Sequence, residues 1–189
     1  REELTQVVDI CRRHGVLMLS DEIHFDIVLE GEHTVLARAG EGAADRCVLL
    51  TSPSKTFNLA GLRIANLIIQ NPDLRASYKR QQEADGNSNI AYFGRAAAIA
   101  AYEECAPWVD ALCGYLRGNF SWMEAFFSQR LPGAVLTRTE GTYFAWADFS
   151  AWGMDDAALS RFLRERAGLV LDDGTMFGAG RSGCARFNF

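Results

Sequence analysis

The chain has 189 residues, of which 49% are hydrophobic, and a formal net charge of −5. This length suits one domain or two small ones, with enough apolar residues for a core. The acidic balance argues against a nucleic-acid-binding protein, because the basic residues form no cluster longer than Lys79-Arg80. No apolar run approaches the ~18 residues that a membrane-spanning helix requires.

The cysteines indicate the redox compartment of the protein, and the first residue bears on whether the chain is whole. Its five cysteines are odd in number and share no C-x-x-C spacing, which is typical of free thiols in a reducing compartment. We therefore expect a cytoplasmic protein without disulfides or a metal site. Arg1 already lies inside a predicted helix, so we expect the chain to be a piece of a longer protein.

The first elements predict a parallel α/β sheet. A helical repeat of apolar residues ends at Gly15, and the apolar run Val16–Leu19 then predicts a buried strand. The polar residues Ser20-Asp21-Glu22 close this strand. A second apolar run, Cys47–Leu50, predicts another strand. Ligands bind outside the carboxyl ends of such strands, so Asp21 occupies a position suited to a ligand.

The stretch after the second strand carries the most distinctive chemistry. Ser52 and Ser54 flank Pro53, Lys55 follows at once, and Arg63 lies eight residues further on. Proline fixes its own φ and has no amide hydrogen, so the strand should end before it. Hydroxyl groups and cations at a strand end suit a phosphate group, and a lysine there suits Schiff-base chemistry. The alternative is a simple strand-to-loop transition with a solvated lysine.

The remaining pattern predicts two domains that meet near Pro107, covering residues 1–106 and 107–189. Pro107 suits the first position of a long helix that runs to Arg130, and its apolar stripe predicts core packing. The other predicted elements are strands Ala65–Ile69, Gly141–Phe149, Leu169–Leu171 and Cys184–Phe189, helices Asp73–Gln82, Ala96–Cys105 and Asp155–Ala167, and loops Asp85–Asn89 and Asp172–Gly183.

Two stretches together resemble a known family. They are Ser20-Asp21-Glu22-Ile23-His24 and Ser54-Lys55-Thr56-Phe57-Asn58-Leu59-Ala60-Gly61-Leu62. The chain resembles the fold-type I pyridoxal-phosphate enzymes of the class I/II aminotransferase family. The sequence of these two stretches is most similar to the MalY/PatB branch of that family, the cystathionine β-lyases. The resemblance covers nearly the whole chain.

The resemblance implies a role for three residues around the cofactor ring. Lys55 resembles the lysine that holds pyridoxal 5′-phosphate covalently and then moves protons at the substrate Cα. Asp21 resembles the carboxylate that keeps the ring nitrogen protonated, and His24 falls where related enzymes bind the phenolic oxygen. Taken alone, Asp21 also suits a loop carboxylate or a helix cap, and His24 suits a structural histidine.

The resemblance further implies residues that bind anionic groups. Ser52, Ser54 and Arg63 would hold the cofactor phosphate, although both serines also suit simple capping of the turn. Arg186, in the last predicted strand, resembles the arginine that binds the substrate α-carboxylate. An unpaired buried guanidinium is costly, so Arg186 is also expected to pair with another group.

The resemblance implies the three-layer α/β fold of the PLP-dependent transferases. Its large domain has a mostly parallel sheet, partial here, and a smaller α+β C-terminal domain follows, truncated at its end. The chain looks like the C-terminal half, because the family's other phosphate-binding loop and its ring-stacking residue are missing from it. The family also implies a homodimer.

The resemblance implies three candidate functions. A carbon–sulfur β-lyase would convert cystathionine or a related cysteine S-conjugate to a thiol, pyruvate and ammonia. An aminotransferase would need a keto acid as acceptor. A third possibility is an aminotransferase-like effector domain of a bacterial transcriptional regulator. The acidic composition and the Asp21–His24 wording favour the lyase, with a small amino acid as substrate and neither nucleic acid nor membrane as partner.

Overall fold

The chain folds into two units in the computed structural model, which describes residues 1–87 and 90–189. The units are Arg1–Asp110 and Ala111–Phe189. The predicted domain boundary after residue 106 stays a prediction for the whole protein. The elements up to the boundary are helices α1 (Glu2–Arg13), α2 (Pro53–Thr56), α3 (Pro72–Ala84) and α4 (Tyr92–Glu104), and strands β1 (Met18–Asp21), β2 (Cys47–Thr51) and β3 (Asn66–Ile69).

The sheet of the first unit has the strand order β1-β2-β3. Strand β1 pairs in parallel with β2, as predicted, with Asp21 opposite Leu50. Strand β3 pairs with β2 in the antiparallel direction, so this part of the sheet is mixed. The connection between them returns to the edge where β2 ends, since Ser52 Oγ donates a hydrogen bond to Ile64 O at 2.6 Å. The next strand therefore runs back along β2, and the α/β architecture is retained.

Strand β1 begins two residues later than the predicted strand Val16–Leu19. Helix α1 ends at a glycine with a positive φ of 66°, Gly15. The amide of Val16 donates to Cys11 O at 2.9 Å, and this bond completes the end of the helix. Val16 is thus committed to the helix terminus, and the strand carries Ser20 and Asp21 instead.

One face of this sheet is well covered. Helix α1 and the segment 36–46 pack on it through a cluster of buried residues, which are Val8, Met18, Leu36, Ala39, Ala43, Cys47 and Leu49. The loop-rich segment that follows β1 is therefore part of the core, although its sequence showed no strong pattern.

Two helices that precede the second unit differ from expectation in their limits. Helix α4 begins at Tyr92, four residues before the predicted start at Ala96. Helix α3 forms the predicted surface helix but starts one residue earlier and ends two residues later than predicted, and its side chains are largely exposed. In the predicted loop Asp85–Asn89, Ser88 and Asn89 lie outside the described residues.

The second unit is built on an antiparallel sheet with the order β4-β5-β7-β6. Its elements are α5 (Ala106–Arg130), which begins in the first unit, β4 (Val135–Leu136), β5 (Phe144–Asp148), α6 (Asp156–Glu165), β6 (Asp172–Asp173) and β7 (Cys184–Asn188). The predicted apolar stripe of the long helix is core for the most part, because Phe120, Met123 and Phe127 lie in the buried cluster of this unit.

The predicted strand Leu169–Leu171 is wrong, and the short strand β6 begins at Asp172 instead. The cause is the same as at Val16. Gly168, with a φ of 69°, ends α6, and the amide of Leu169 donates to Leu163 O at 2.9 Å. Val170 is 85% exposed, so its apolar side chain does not mark a buried strand.

The second face of the first sheet leaves apolar side chains uncovered. Leu19 is 71% exposed and Leu67 is 39% exposed. By the register of the strands, both lie on the face opposite the α1 cluster. This chain therefore covers one face of the sheet more completely than the other.

We expect the 189-residue chain, produced alone, to self-associate through this open face. Leu19→Thr removes apolar area while it keeps a β-compatible side chain, so it should lower the associated fraction. Size-exclusion chromatography with light scattering measures this fraction. Gln70→Thr, at an exposed polar position beside β3, is the control. A monodisperse monomer in the unmodified chain would contradict the expectation.

Candidate functional site

The predicted site residues of the first unit gather at one edge of its sheet. Strands β1 and β2 are parallel and end at Asp21 and Thr51. Their carboxyl ends therefore meet at the same edge. The amide of Glu22 donates to Leu50 O at 2.8 Å, which extends the pairing past Asp21. Strand β3 begins at this edge, since Thr51 lies opposite Asn66.

Asp21 and His24 lie in the turn that leaves this edge. Asp21 is exposed, and its Oδ1 accepts a hydrogen bond from the amide of Ile23 at 3.2 Å. His24 is half-buried, and its carbonyl accepts from the amide of Ile27 at 3.0 Å. Asp21 thus stabilises the turn with one oxygen, which leaves its second oxygen for another donor.

The Ser52 hydroxyl is fully used within the protein. Ser52 caps α2, and its Oγ accepts from the Ser54 amide at 3.0 Å. A carbonyl only accepts, so the single hydroxyl hydrogen of Ser52 goes to Ile64 O. The 2.7 Å contact between the two serine Oγ atoms is therefore donated by Ser54. The predicted capping role is present, and either hydroxyl would have to exchange its acceptor to bind a phosphate oxygen.

Lys55 and Arg63 differ from these serines in having no polar partner in the described part of the chain. Lys55 is half-buried and Arg63 is exposed. Within residues 1–87 and 90–189, neither side chain makes a hydrogen bond or an ion pair. The Lys55 amine and the Arg63 guanidinium are thus available to a ligand at the edge of the sheet.

The backbone around Arg63 is strained. Arg63 has a φ of 48° and Asn58 a φ of 56°, in the left-handed region that a side chain disfavours. Such a residue costs about 1–3 kcal/mol and is common at functional sites. Packing holds the segment in place, because the Phe57 ring stacks on Trp108 with centroids 5.9 Å apart. Gly94 of α4 also approaches Leu62 so closely that a Cβ would lie 3.2 Å from its carbonyl oxygen.

The buried Glu22 pairs with His33, whose side chain is 30% exposed, in a contact that the sequence did not predict. Glu22 is 7% exposed, and its Oε2 accepts from His33 Nε2 at 2.9 Å. Its Oε1 accepts from the Ser20 hydroxyl at 2.9 Å and from the Leu36 amide at 3.0 Å. Burial alone would raise the pKa of Glu22, but these hydrogen bonds and the charge of His33 lower it below its ordinary value. The pair fixes the segment that covers the sheet.

A second unpredicted contact joins Asp26 to Thr56, the neighbour of Lys55. Thr56 Oγ1 donates to Asp26 Oδ2 at 2.9 Å. Burial raises the pKa of Asp26, although the Thr56 bond and the charge of His33 oppose the rise. Burial and the charge of Asp26 also raise the pKa of Tyr102, against hydrogen bonds with Thr51 and Asn66. No sequence pattern marks this contact, because thirty residues separate its two partners.

Arg186 belongs to the second unit and is paired there. Its Nε and Nη2 both donate to Asp172 Oδ2, at 3.0 and 2.6 Å. The guanidinium lies over the Phe144 ring at 4.0 Å and over the Phe177 ring at 4.7 Å. Asp172 occupies the guanidinium edge formed by Nε and Nη2, and the two rings cover the guanidinium plane. The edge formed by Nη1 and Nη2 is therefore the one suited to a carboxylate. The expected pairing is present, and the partner, Asp172, was not predicted.

The described residues offer little support for other kinds of site. Within residues 1–87 and 90–189, no three His, Cys, Asp or Glu side chains come together as a metal site would require. No helix in the same part of the chain is long and apolar enough to cross a membrane. None of the five cysteines, all of which lie in the described residues, forms a disulfide bond, and Cys47 and Cys113 are buried.

Comparison with known proteins identifies close relatives. The family model described as "Aminotransferase class I and II" matches residues 1–189. Cystathionine beta-lyase PatB of Bacillus subtilis is 37% identical over 100% of this chain and 49% of its own length. Protein MalY of Escherichia coli is 36% identical over 99% of this chain and 48% of its own length.

A solved structure agrees with these relatives. Cystalysin from Treponema denticola, whose crystal structure contains a pyridoxal 5′-phosphate cofactor, has a TM-score of 0.94 and 36% identity, over 100% of this chain and 48% of that one. The chain spans about half the length of the curated relatives it matches.

The buried Glu22 makes stability depend on pH. Its pKa is below the ordinary 4.5 in the folded state, so its contribution is complete above pH 4.5 and is lost as the pH falls through the lowered value. Glu22→Gln should reduce the free energy of unfolding by about 1–3 kcal/mol at pH 7 and flatten its decline below pH 4.5. Urea unfolding at several pH values measures both effects. The exposed Glu41→Gln is the control, and equal curves for both variants would contradict the assignment.

Proposed function

The chain belongs to the class I and II aminotransferase family, and we propose that it is part of a pyridoxal 5′-phosphate-dependent carbon–sulfur β-lyase. The proposed substrate is cystathionine or a related cysteine S-conjugate, and the products are a thiol, pyruvate and ammonia. The observation that carries the proposal is the gathering of Asp21, Lys55 and Arg63 at one edge of the sheet. The resemblance to cystathionine β-lyases supports the choice of reaction.

The residues at the sheet edge fit this cofactor. Its aldehyde requires an amine without a competing partner, and its phosphate requires cations and hydroxyl groups. Lys55 and Arg63 have no polar partner among the described residues. Ser52 and Ser54 stand beside them with hydroxyl groups. In the proposal Lys55 holds the cofactor covalently, while Arg63 and the two serines hold its phosphate.

Two residues would act on the cofactor ring. The Asp21 carboxylate, with one oxygen outside its turn contact, would hold a proton on the ring nitrogen by its opposite charge. His24 would bind the phenolic oxygen. When bound, pyridoxal 5′-phosphate supplies an electron sink for negative charge at the substrate Cα. The protein's part is to keep that sink protonated and in place.

Lys55 and Arg186 would act on the substrate. Lys55, once exchanged for the substrate amine, would take the proton from Cα, so that the Cβ–S bond breaks with its electron pair on sulfur. Arg186 would bind the α-carboxylate through its Nη1 and Nη2 edge, since Asp172 holds the other edge. The roles of these residues are proposals that rest on their chemistry.

An aminotransferase is the second candidate, and the family to which the chain belongs favours it. Both reactions begin with loss of the Cα proton, and they differ in the fate of the electron pair that is left at Cα. In the lyase this pair would expel the sulfur from Cβ, whereas an aminotransferase would keep the Cβ–S bond, transfer the amino group to the cofactor and need a keto acid to complete its cycle. We further propose a cytoplasmic homodimer, because none of the five cysteines, all described, forms a disulfide bond and the family resemblance implies a dimer.

Chemical labelling identifies the lysine that holds the cofactor. Borohydride reduction of the whole protein with its cofactor, followed by peptide mapping, should place the pyridoxyl group on Lys55. Lys55→Arg keeps the charge but lacks a suitable amine, so it should abolish the label. Lys79→Arg, on the exposed helix α3, should leave labelling unchanged. A label at another lysine in the unmodified protein would refute the role of Lys55.

The requirement for a keto acid distinguishes the β-lyase from the aminotransferase. The whole protein should release pyruvate and a thiol from cystathionine in the absence of any keto acid, because β-elimination regenerates the cofactor in each cycle. A coupled assay that reduces pyruvate measures the rate. Activity that appears only after a keto acid is added, with no thiol released, would favour the aminotransferase and reject the lyase.

A further inference from the structure

The short helix α2 presents two different sides. Pro53 and Thr56, three positions apart, lie on one side and are among the side chains with less than 2% exposure. Ser54 and Lys55 are half-buried on the other side. The rotation of this single turn about its axis therefore decides where the Lys55 side chain begins, and the buried side sets that rotation.

The buried side of α2 requires a hydrogen bond in addition to apolar packing. Thr56 is 0% exposed, and a buried hydroxyl without a partner is unfavourable. Its hydrogen bond to Asp26 Oδ2, 2.9 Å long, satisfies this group. Asp26 precedes Ile27, which is 1% exposed and anchors the other end of the contact in the core. The bond therefore joins two anchored backbone segments.

The two joined segments leave the sheet at the same edge. Asp21 ends β1 and Thr51 ends β2, and Asp26 and Thr56 each lie five residues beyond those ends. Strand pairing fixes the start of both segments, with the Glu22 amide bonded to Leu50 O at 2.8 Å. Beyond that point, the Thr56–Asp26 bond spans from one segment to the other. It therefore limits how far the Lys55 turn can move relative to the turn that carries Asp21 and His24.

The geometry points to Thr56 and Asp26 as positioning residues that fix the Lys55 turn relative to the turn that carries Asp21. The inference rests on the proposed function, because it assumes that both segments hold one cofactor. Neither residue touches the cofactor in this scheme. Their bond fixes the turn from which the lysine amine reaches its target, and small errors in such placement reduce rates strongly.

A matched pair of variants in the whole protein tests the inference. Thr56→Val keeps the shape and removes the hydroxyl, whereas Thr56→Ser keeps the hydroxyl and removes a methyl group. With cofactor bound, Thr56→Val should lower kcat by ~10-fold or more, with KM for the amino acid changed by no more than about 2-fold. Thr56→Ser should retain a kcat close to that of the unmodified protein.

A spectroscopic measurement supplies a readout that does not depend on turnover. The pH midpoint of the visible absorbance change of the bound cofactor reports the surroundings of the lysine that holds it. This midpoint should shift by about 0.5 unit or more in Thr56→Val and should stay in place in Thr56→Ser. A shift of equal size in both variants, or in neither, would overturn the inference.

Variants at Asp26 test the same bond from its other side. Asp26→Asn keeps an oxygen that accepts from Thr56, so its absorbance midpoint should stay closer to that of the unmodified protein than the midpoint of Asp26→Ala. In the Thr56→Val background, Asp26→Ala should change kcat far less than it does alone. Independent effects of the two substitutions would overturn the inference. This cycle also decides the matter if Thr56→Val alone folds poorly.

The inference and the proposed function fail in different ways. If borohydride reduction does not label Lys55 in the unmodified protein, the proposed function fails. If Lys55 is labelled but Thr56→Val matches the unmodified protein in kcat and absorbance midpoint, the function stands and the positioning role fails. Thermal unfolding of each variant separates loss of position from loss of fold.

Discussion

The parallel pairing of β1 with β2 is the constraint on which the candidate site depends. With Asp21 opposite Leu50, the two strands end within a residue or so of each other at one edge. The return of β3 from that same edge brings Arg63 close to the start of its strand. Residues that are far apart in sequence thus converge because three backbone segments share one boundary. A one-residue slip of β1 would turn Asp21 to the opposite face of the sheet.

Much of this arrangement could be predicted from local patterns, and the two errors in strand position share one physical cause. Apolar runs and polar strand ends correctly indicated two neighbouring parallel strands. The predicted strands after Gly15 and Gly168 began too early, because in both cases the next amide bonds back to the helix, from Val16 to Cys11 and from Leu169 to Leu163. Hydrophobic periodicity records which side chains are apolar, but it carries no information on which backbone amides are already used.

The contacts that support the site were harder to predict than its candidate cofactor ligands. Lys55 and its serines form one continuous stretch, so their chemistry is visible in the sequence. Glu22 binds His33 across eleven residues and Asp26 binds Thr56 across thirty, and no local spacing marks either pair. Asp172, the partner of Arg186, was likewise invisible, since it lay in a stretch expected to be loop. Long-range side-chain pairs depend on the register of the sheets, which a single sequence does not define.

The polar groups at the sheet edge separate into two sets by their hydrogen bonds. Glu22, Ser52 and Thr56 are buried, and short bonds within the chain satisfy them. Lys55 and Arg63 have no such bonds in the part of the chain that the structure describes, and Arg63 also carries backbone strain. Stability alone gives no reason for the strained backbone at Arg63, whereas contacts with an anionic ligand would offset this cost. The first set therefore builds the edge, and the second set is what the edge presents to a ligand.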